Sequence, residues 1–249
     1  MRFFVIALIL FVSCEKANDE QSLFVQAVLI EGEAVSGVQV AVISESGQVP
    51  VSGATVRLFN EAGESVQLSE ATAGSYADLD GDFVISAGAR YRLEVTYDSF
   101  FASAETVIPV QTSIDQLSST TIPIDSGSSG QPIFSVLWSN EENLTHVLVL
   151  RVNEETPLEI PFDVNSGFFA SQYAVPVTSN GVTLFDTDFT YYGNHTLEIY
   201  TIDAAYDALY FYQPGDAGNI IDGGPENIDG GVGYLTGACL NSIDLELLQ

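Results

Sequence analysis

From residue 23 onward the chain alternates apolar and polar residues with a period of two, and helical periodicity is nearly absent. A period of two puts successive side chains on opposite faces of an extended strand, so each segment can bury one face. The segments 23–31 (LFVQAVLIE), 38–44 (VQVAVIS), 54–60 (ATVRLFN) and 91–97 (YRLEVTY) carry it most clearly. Shorter strands are expected at 64–69, 74–76 and 82–85, with another at 103–110. Gly, Asn, Asp and Ser cluster between these runs, as turns require. Seven short strands before residue 98, closely spaced, predict a β-sandwich. Two of them sit in similar units: VSGVQVAVISESG (35–47) and VSGATVRLFNEAG (51–63) align at an offset of 16. A solenoid needs about three or more repeats, so these read as two strand-plus-turn units of one sheet.

A second β region follows, with strands expected at 133–138 (IFSVLW), 146–152 (HVLVLRV), 168–175, 183–185, 193–202 (GNHTLEIYTI) and 243–248. Its Trp138-bearing strand and the alternating strands after it resemble a fibronectin-type-III-like sandwich, a likeness of fold that carries no function. The stretch 113–131 is rich in Ser, Thr and Gly and reads as a linker. One helix is expected at 203–213, capped by Asp203, with Tyr206, Leu209 and Tyr210 on its apolar face and Pro214-Gly215 as its stop. Residues 218–237 hold seven glycines and read as a structured loop with close backbone approaches. The expected architecture is mainly β: two tandem immunoglobulin-like/fibronectin-type-III-like sandwiches, at 23–112 and 132–249, with one short helix near the C-terminus.

Charge limits the partners. Six Lys+Arg against 34 Asp+Glu give a net charge of −28 over 249 residues. A surface this acidic repels phosphate backbones, which argues against nucleic acid. It also repels anionic lipid, so membrane attachment must come from something other than a basic patch. The chain is still expected to fold, because 46% of it is hydrophobic and only 16% is charged.

The N-terminus supplies another route to the membrane. Residues 1–13 (MRFFVIALILFVS) hold one cation, Arg2, followed by an unbroken apolar run from Phe3 to Val12. The run is too short for a spanning helix, which needs about 20 residues, and it fits a signal-peptide core. Phe11-Val12-Ser13-Cys14 resembles a bacterial lipobox, with Phe11 where Leu is usual. The resemblance implies cleavage before Cys14 and acylation of the new terminus: diacylglycerol on the Cys14 sulfur, with acyl chains such as palmitate. Two or three acyl chains hold stably where one binds only marginally. Residues 14–22 would then be a polar tether containing Glu15, Lys16, Asp19 and Glu20. Acidic residues in that place resemble surface-export signals of Bacteroidota lipoproteins, with periplasmic-facing display as the alternative. With Cys14 acylated, Cys239 has no disulfide partner in the chain. Its apolar, Gly-rich setting (GYLTGACLNS) contains no cation to activate it, so it reads as a packed, inert thiol.

Candidate chemistry is sparse. Asp78, Asp80 and Asp82 alternate in DLDGD and could offer oxygens to Ca²⁺. Gly81 precedes the third Asp and no Glu follows, so a solvated turn is the reading, with no metal or other cofactor expected. In the acidic Gly-rich tail, Asp222, Glu226 and Asp229 could meet a cation, a sugar or a partner, or could simply favour tight turns. Aromatics crowd residues 185–212 and read as shared core, with Tyr191, Tyr192 and Tyr212 as the expected exposed exceptions for a glycan or a partner. His146 and His195 lie 49 positions apart and lack the further ligands a zinc site needs. The chain has no G-x-S-x-G, Walker or H-E-x-x-H motif, and it is not expected to be an enzyme.

The layout as a whole resembles a known family. A lipobox leads into LFVQAVLIEGE, then PVSGATVRLFNEAGE, then GSYADLDGDFVISAGARYRLEVTY, and the chain closes with PENIDGGVGYLTGA. This resembles a Bacteroidota outer-membrane lipoprotein family of unknown function, the domain family numbered four-two-four-nine. The segment Asn227-Ile228-Asp229-Gly230-Gly231-Val232-Gly233-Tyr234 looks like that family's closing N-I-x-G-G-x-G-aromatic signature. Residues 51–97 also look like carboxypeptidase-regulatory or CnaB-like sandwiches, through Gly53-Ala54-Thr55-Val56 and Tyr91-Arg92-Leu93-Glu94-Val95. Members of the family are often associated with TonB-dependent receptors. The resemblance therefore implies an outer-membrane accessory role beside such a receptor. A surface adhesin or carbohydrate-binding module is the alternative, with a hydrolase behind it that no motif supports, and no catalytic residues carry over.

Overall fold

The computed structural model describes residues 21–44, 47–124, 130–140, 144–161, 174–203 and 227–249. Residues 1–20 with Cys14, the expected helix beyond Asp203, Tyr212 and Asp222 lie outside them.

The described residues are predominantly β. The N-terminal strands are β1 (Ser22–Ile30), β2 (Val38–Ser44), β3 (Gly47–Pro50), β4 (Thr55–Asn60), β5 (Ser65–Thr72), β6 (Ser75–Ala77), β7 (Arg90–Tyr97) and β8 (Phe100–Val107). Then come β9 (Ile114–Leu117), β10 (Thr121–Pro123), β11 (Pro132–Trp138), β12 (Thr145–Val152), β13 (Ala174–Val177), β14 (Gly181–Phe185) and β15 (Gly193–Ile202). The chain ends with β16 (Ile228–Asp229) and the 17-residue β17 (Val232–Leu248). One large sheet runs β13-β12-β15-β17-β1-β2-β6-β5-β4-β7-β8-β16, with β10 added beside β17 and β3 beside β2. A small antiparallel sheet runs β14-β11-β9. The large sheet curls, so that β8 packs against both β17 and β1.

Alternation explains the burial. In β7, Tyr91, Leu93 and Val95 face inward while Arg90, Arg92 and Glu94 face out. Val56 and Leu58 of β4 and Ala102 and Ala104 of β8 join them in a first core. A second core gathers Phe134, Val136 and Trp138 of β11, Leu148 and Leu150 of β12, and Leu197 and Ile199 of β15. The two repeated units become β2 and β4, both in the large sheet, and Val35 and Val51 are buried at the same place in each.

The two halves are joined through β17. Its first part runs parallel to β1, from Val232 beside Phe24 to Ala238 beside Ile30. Its second part runs antiparallel to β15, from Ala238 beside Ile202 to Leu247 beside Gly193. Leu235 accordingly enters the first core, while Ile243, Leu245 and Leu247 enter the second.

Three expectations change. The last strand is expected at 243–248 and begins instead at Val232, because the Gly-rich segment before it pairs with β1. The stretch 82–85 is not a sheet strand: Val84 forms an isolated bridge with Ala34, and Ile85 exchanges backbone hydrogen bonds with Gly32 and Glu33. The Ser/Thr-rich stretch at 113–131 contains β9 and β10, whose polar side chains face solvent beside their partner strands. Among the described residues, no helix is long and apolar enough to cross a membrane.

Candidate functional site

The closing signature becomes a clasp. Asn227 pins the turn between β16 and β17: its Nδ2 donates to the Leu235 carbonyl at 2.6 Å, and its Oδ1 accepts from the Leu235 N–H at 2.9 Å. Ile228 plugs the first core, while Val232 joins Phe24, Ala41 and Ile43 in a separate buried cluster. Gly233 has φ +117, and a Cβ there would run into the Val25 carbonyl oxygen. Gly230, at φ +75, would meet the Phe101 carbonyl in the same way. The Tyr234 hydroxyl accepts from Gln26 Nε2 at 2.5 Å. Since β16 pairs with β8 and β17 pairs with β1, the turn between them links two flanks of the curled sheet. The close backbone approaches expected of the glycine-rich tail are found at these positions, against β8 and β1.

A buried polar junction lies beside the clasp. Asp203, at the end of β15, accepts from the hydroxyl of Thr106 on β8. It also accepts from the Thr236 hydroxyl at 2.8 Å and the Gly237 N–H at 3.3 Å. Thr236 is fully buried, Thr106 nearly so. The sequence marks Asp203 only as a helix cap. Its long-range role was hidden because its donors come from strands β8 and β17. Asp186 is similar: 2% exposed, it accepts from the N–H groups of Gly130 and Gln131 at 2.7 and 3.2 Å.

The residues singled out from the sequence scatter. Asp78 accepts from the Phe83 N–H at 2.9 Å and closes a turn, while Asp80 and Asp82 point into solvent. Among the described residues, no three His, Cys, Asp or Glu side chains form a group that could hold a metal ion. Asp229 is exposed on β16, opposite Ser103. Tyr191 is half-buried and bridges to Glu159. Tyr192 is a correction: expected to be exposed, it is only 7% exposed and packs in the second core, because the chain turns there into β15 and buries every second side chain.

Both histidines are buried in the second half. His146 packs at a 44° tilt against Trp138 with ring centroids 4.9 Å apart and shares a hydrogen bond with the Thr112 hydroxyl at 3.2 Å. Thr112 in turn bonds Thr201 at 3.0 Å and lines an open pocket of about 310 Å³ with Gln111, Ser113, Ser139 and Asn140. His195 Nδ1 lies 3.0 Å from the Gly193 carbonyl, and its ring meets Phe189 edge-on. Burial pushes both imidazoles below their usual value of 6.5. Their neutral forms therefore stabilise the fold above about pH 6.5, and that contribution is lost as pH falls toward the lowered values. For His195→Asn, the advantage of wild type in urea midpoint is expected to narrow as pH drops from about 7.5 to about 5. A constant gap would contradict a neutral buried ring.

Cys239 is 1% exposed and donates to Glu31 Oε2 at 2.8 Å. Burial, with the Glu31 carboxylate beside it, pushes the thiol up to about 12. No thiolate forms at neutral pH, in keeping with the inert thiol expected from the sequence. In a Cys14→Ser chain, a maleimide or disulfide reagent should leave Cys239 unlabelled until denaturant is added. Rapid labelling of the native chain would contradict this burial.

Among the described residues, the fold and these sites define a predominantly β body clasped by the turn between β16 and β17. The chain belongs to the family described as Domain of unknown function (DUF4249), whose model matches residues 12–238. That span includes the whole closing signature. A comparison with the curated proteins gives no match. Among solved structures, the crystal structure of the titin domains z1z2 in complex with telethonin aligns with 92% of this chain and 95% of that chain. The identity is 14% and the TM-score 0.24, and a likeness that low carries no argument about fold or partner.

Proposed function

We propose that this protein is a non-catalytic, lipid-anchored accessory of the outer membrane, displayed at the cell surface, that binds or scaffolds beside a TonB-dependent receptor. The observation that carries the reading is membership in the DUF4249 family together with the Phe11-Val12-Ser13-Cys14 sequence, whose last three residues open the matched region. The way the body would meet its anchor also supports it. The first strand, β1, follows closely after Cys14 and lies between β2 and β17 in the large sheet. A pull on Cys14 would therefore load two hydrogen-bonded ladders at once, rather than peel an edge strand.

The test is crosslinking in intact cells, followed by purification of the chain from the membrane fraction. A TonB-dependent receptor should co-purify with wild type, and Cys14→Ser should release the chain from the membrane and abolish recovery of the receptor. A membrane-bound chain with no receptor partner would refute the accessory role. The glycan-binding alternative is left with Tyr191 and Tyr212 once Tyr192 is placed in the core, and no arrangement of exposed aromatics among the described residues favours it.

A further inference from the structure

Cations are scarce and unevenly placed. The chain holds six Lys and Arg, namely Arg2, Lys16, Arg57, Arg90, Arg92 and Arg151, and none follows Arg151. Three of the six stand together on the outer face of β4 and β7. Phe59 lies among them, with the Arg92 guanidinium 4.8 Å and the Arg57 guanidinium 5.9 Å from its ring centre. Arg92 pairs with Glu94 at 2.5 Å and Arg90 with Glu105 at 3.4 Å. Arg57 is exposed and, among the described residues, has no carboxylate partner.

The strand register orders this face. Arg57 stands opposite Glu94, Phe59 opposite Arg92, and Arg92 opposite Glu105. Opposite charges therefore alternate around a half-buried aromatic ring on the outer face of the sheet. Arg and aromatic side chains dominate the energetics of protein interfaces. A dense polyanion fits poorly, because Glu94 and Glu105 would repel its successive charges. Discrete carboxylates can instead pair with Arg57 through bidentate hydrogen bonds and pass between the two glutamates.

We propose that the face around Arg57, Phe59 and Arg92 is a docking site for an acidic segment of a partner protein. The proposal rests on the accessory reading only in taking the occupant to be a protein. Charge complementarity selects the occupant: this island is the one place among the described residues where cations gather on an otherwise acidic chain.

The test places a photoreactive p-benzoylphenylalanine at Gln67, directly across β4 from Arg57, in the full chain in its own cells. Crosslinked peptides are then sequenced. The expected adduct is a protein peptide carrying at least two Asp or Glu residues. The Arg57→Glu/Arg92→Glu chain should lose about tenfold or more of it, as expected for losing charge-assisted hydrogen bonds. Arg57→Gln, milder for the fold, should give a smaller loss with an unchanged melting temperature. Adducts on glycan or lipid, adducts on peptides without carboxylates, no adduct at all, or adduct yield unchanged by either variant would overturn the proposal. Receptor recovery is read in the same cells. Receptor recovery and adduct yield that are both unchanged in the charge-reversed chain reject this face and leave the accessory role standing. An acidic-peptide adduct from another protein, without receptor, does the reverse.

Discussion

Gly233→Ala is expected to cost about 4 kcal/mol or more, near the upper limit for a single substitution. Two effects combine. At φ +117 an L-residue is strained wherever it sits. The added Cβ would also collide with the Val25 carbonyl oxygen, a backbone atom that cannot swing aside. Relief requires β17 to move away from β1, which breaks the parallel ladder from Phe24 to Ile30. Gly63→Ala provides the control. It also has positive φ, at +84, but a Cβ there meets nothing within 4 Å, so about 1 kcal/mol is expected. Urea unfolding of the two variants checks the contrast. Similar losses would mean that backbone strain, and not the approach to Val25, sets the cost.

Asp203→Ala is expected to cost about 3 kcal/mol, because it strands buried donors. The Thr236 hydroxyl, fully buried, and the nearly buried Thr106 hydroxyl both lose their acceptor, and so does the Gly237 N–H. Asp203→Asn keeps the shape and one acceptor oxygen, and should cost less than the alanine. The double variant Asp203→Ala/Thr236→Val should be less destabilised than the sum of its parts, since the valine removes a stranded hydroxyl. Additive losses in urea midpoint would show that the junction does not act as a unit.

Much of the fold was legible because alternation reports burial directly. The expected runs at 38–44 and 193–202 coincide with β2 and β15. The failures have a common cause. Glycine is depleted in strands, so 230–237 gave no strand signal, although its missing side chains are what let β17 approach β1. Tyr192 looked like surface because local sequence does not say which way the chain turns into β15. Asp203 and Asp186 looked like ordinary turn residues because their partners are distant in sequence. The closing signature was recognised as a pattern, but its physical meaning needed the register. Asn227, Gly230 and Gly233 each serve the clasp at the turn between β16 and β17. The Arg57–Phe59–Arg92 cluster was missed because period-two spacing on one strand becomes a patch only when β7 is placed beside it.

The strand β17, which begins in the closing signature, fastens the two cores into one body. Trp138, the single Trp, is buried in the second core and reports on it alone. Gly233 approaches β1, in the first. The direct measurement is the urea midpoint of Gly233→Ala, followed both by Trp138 fluorescence and by far-ultraviolet circular dichroism. Both midpoints are expected to fall together in the variant, because β17 carries the loss from one core to the other. A Trp138 midpoint that stays at its wild-type value while the circular dichroism midpoint falls would contradict it.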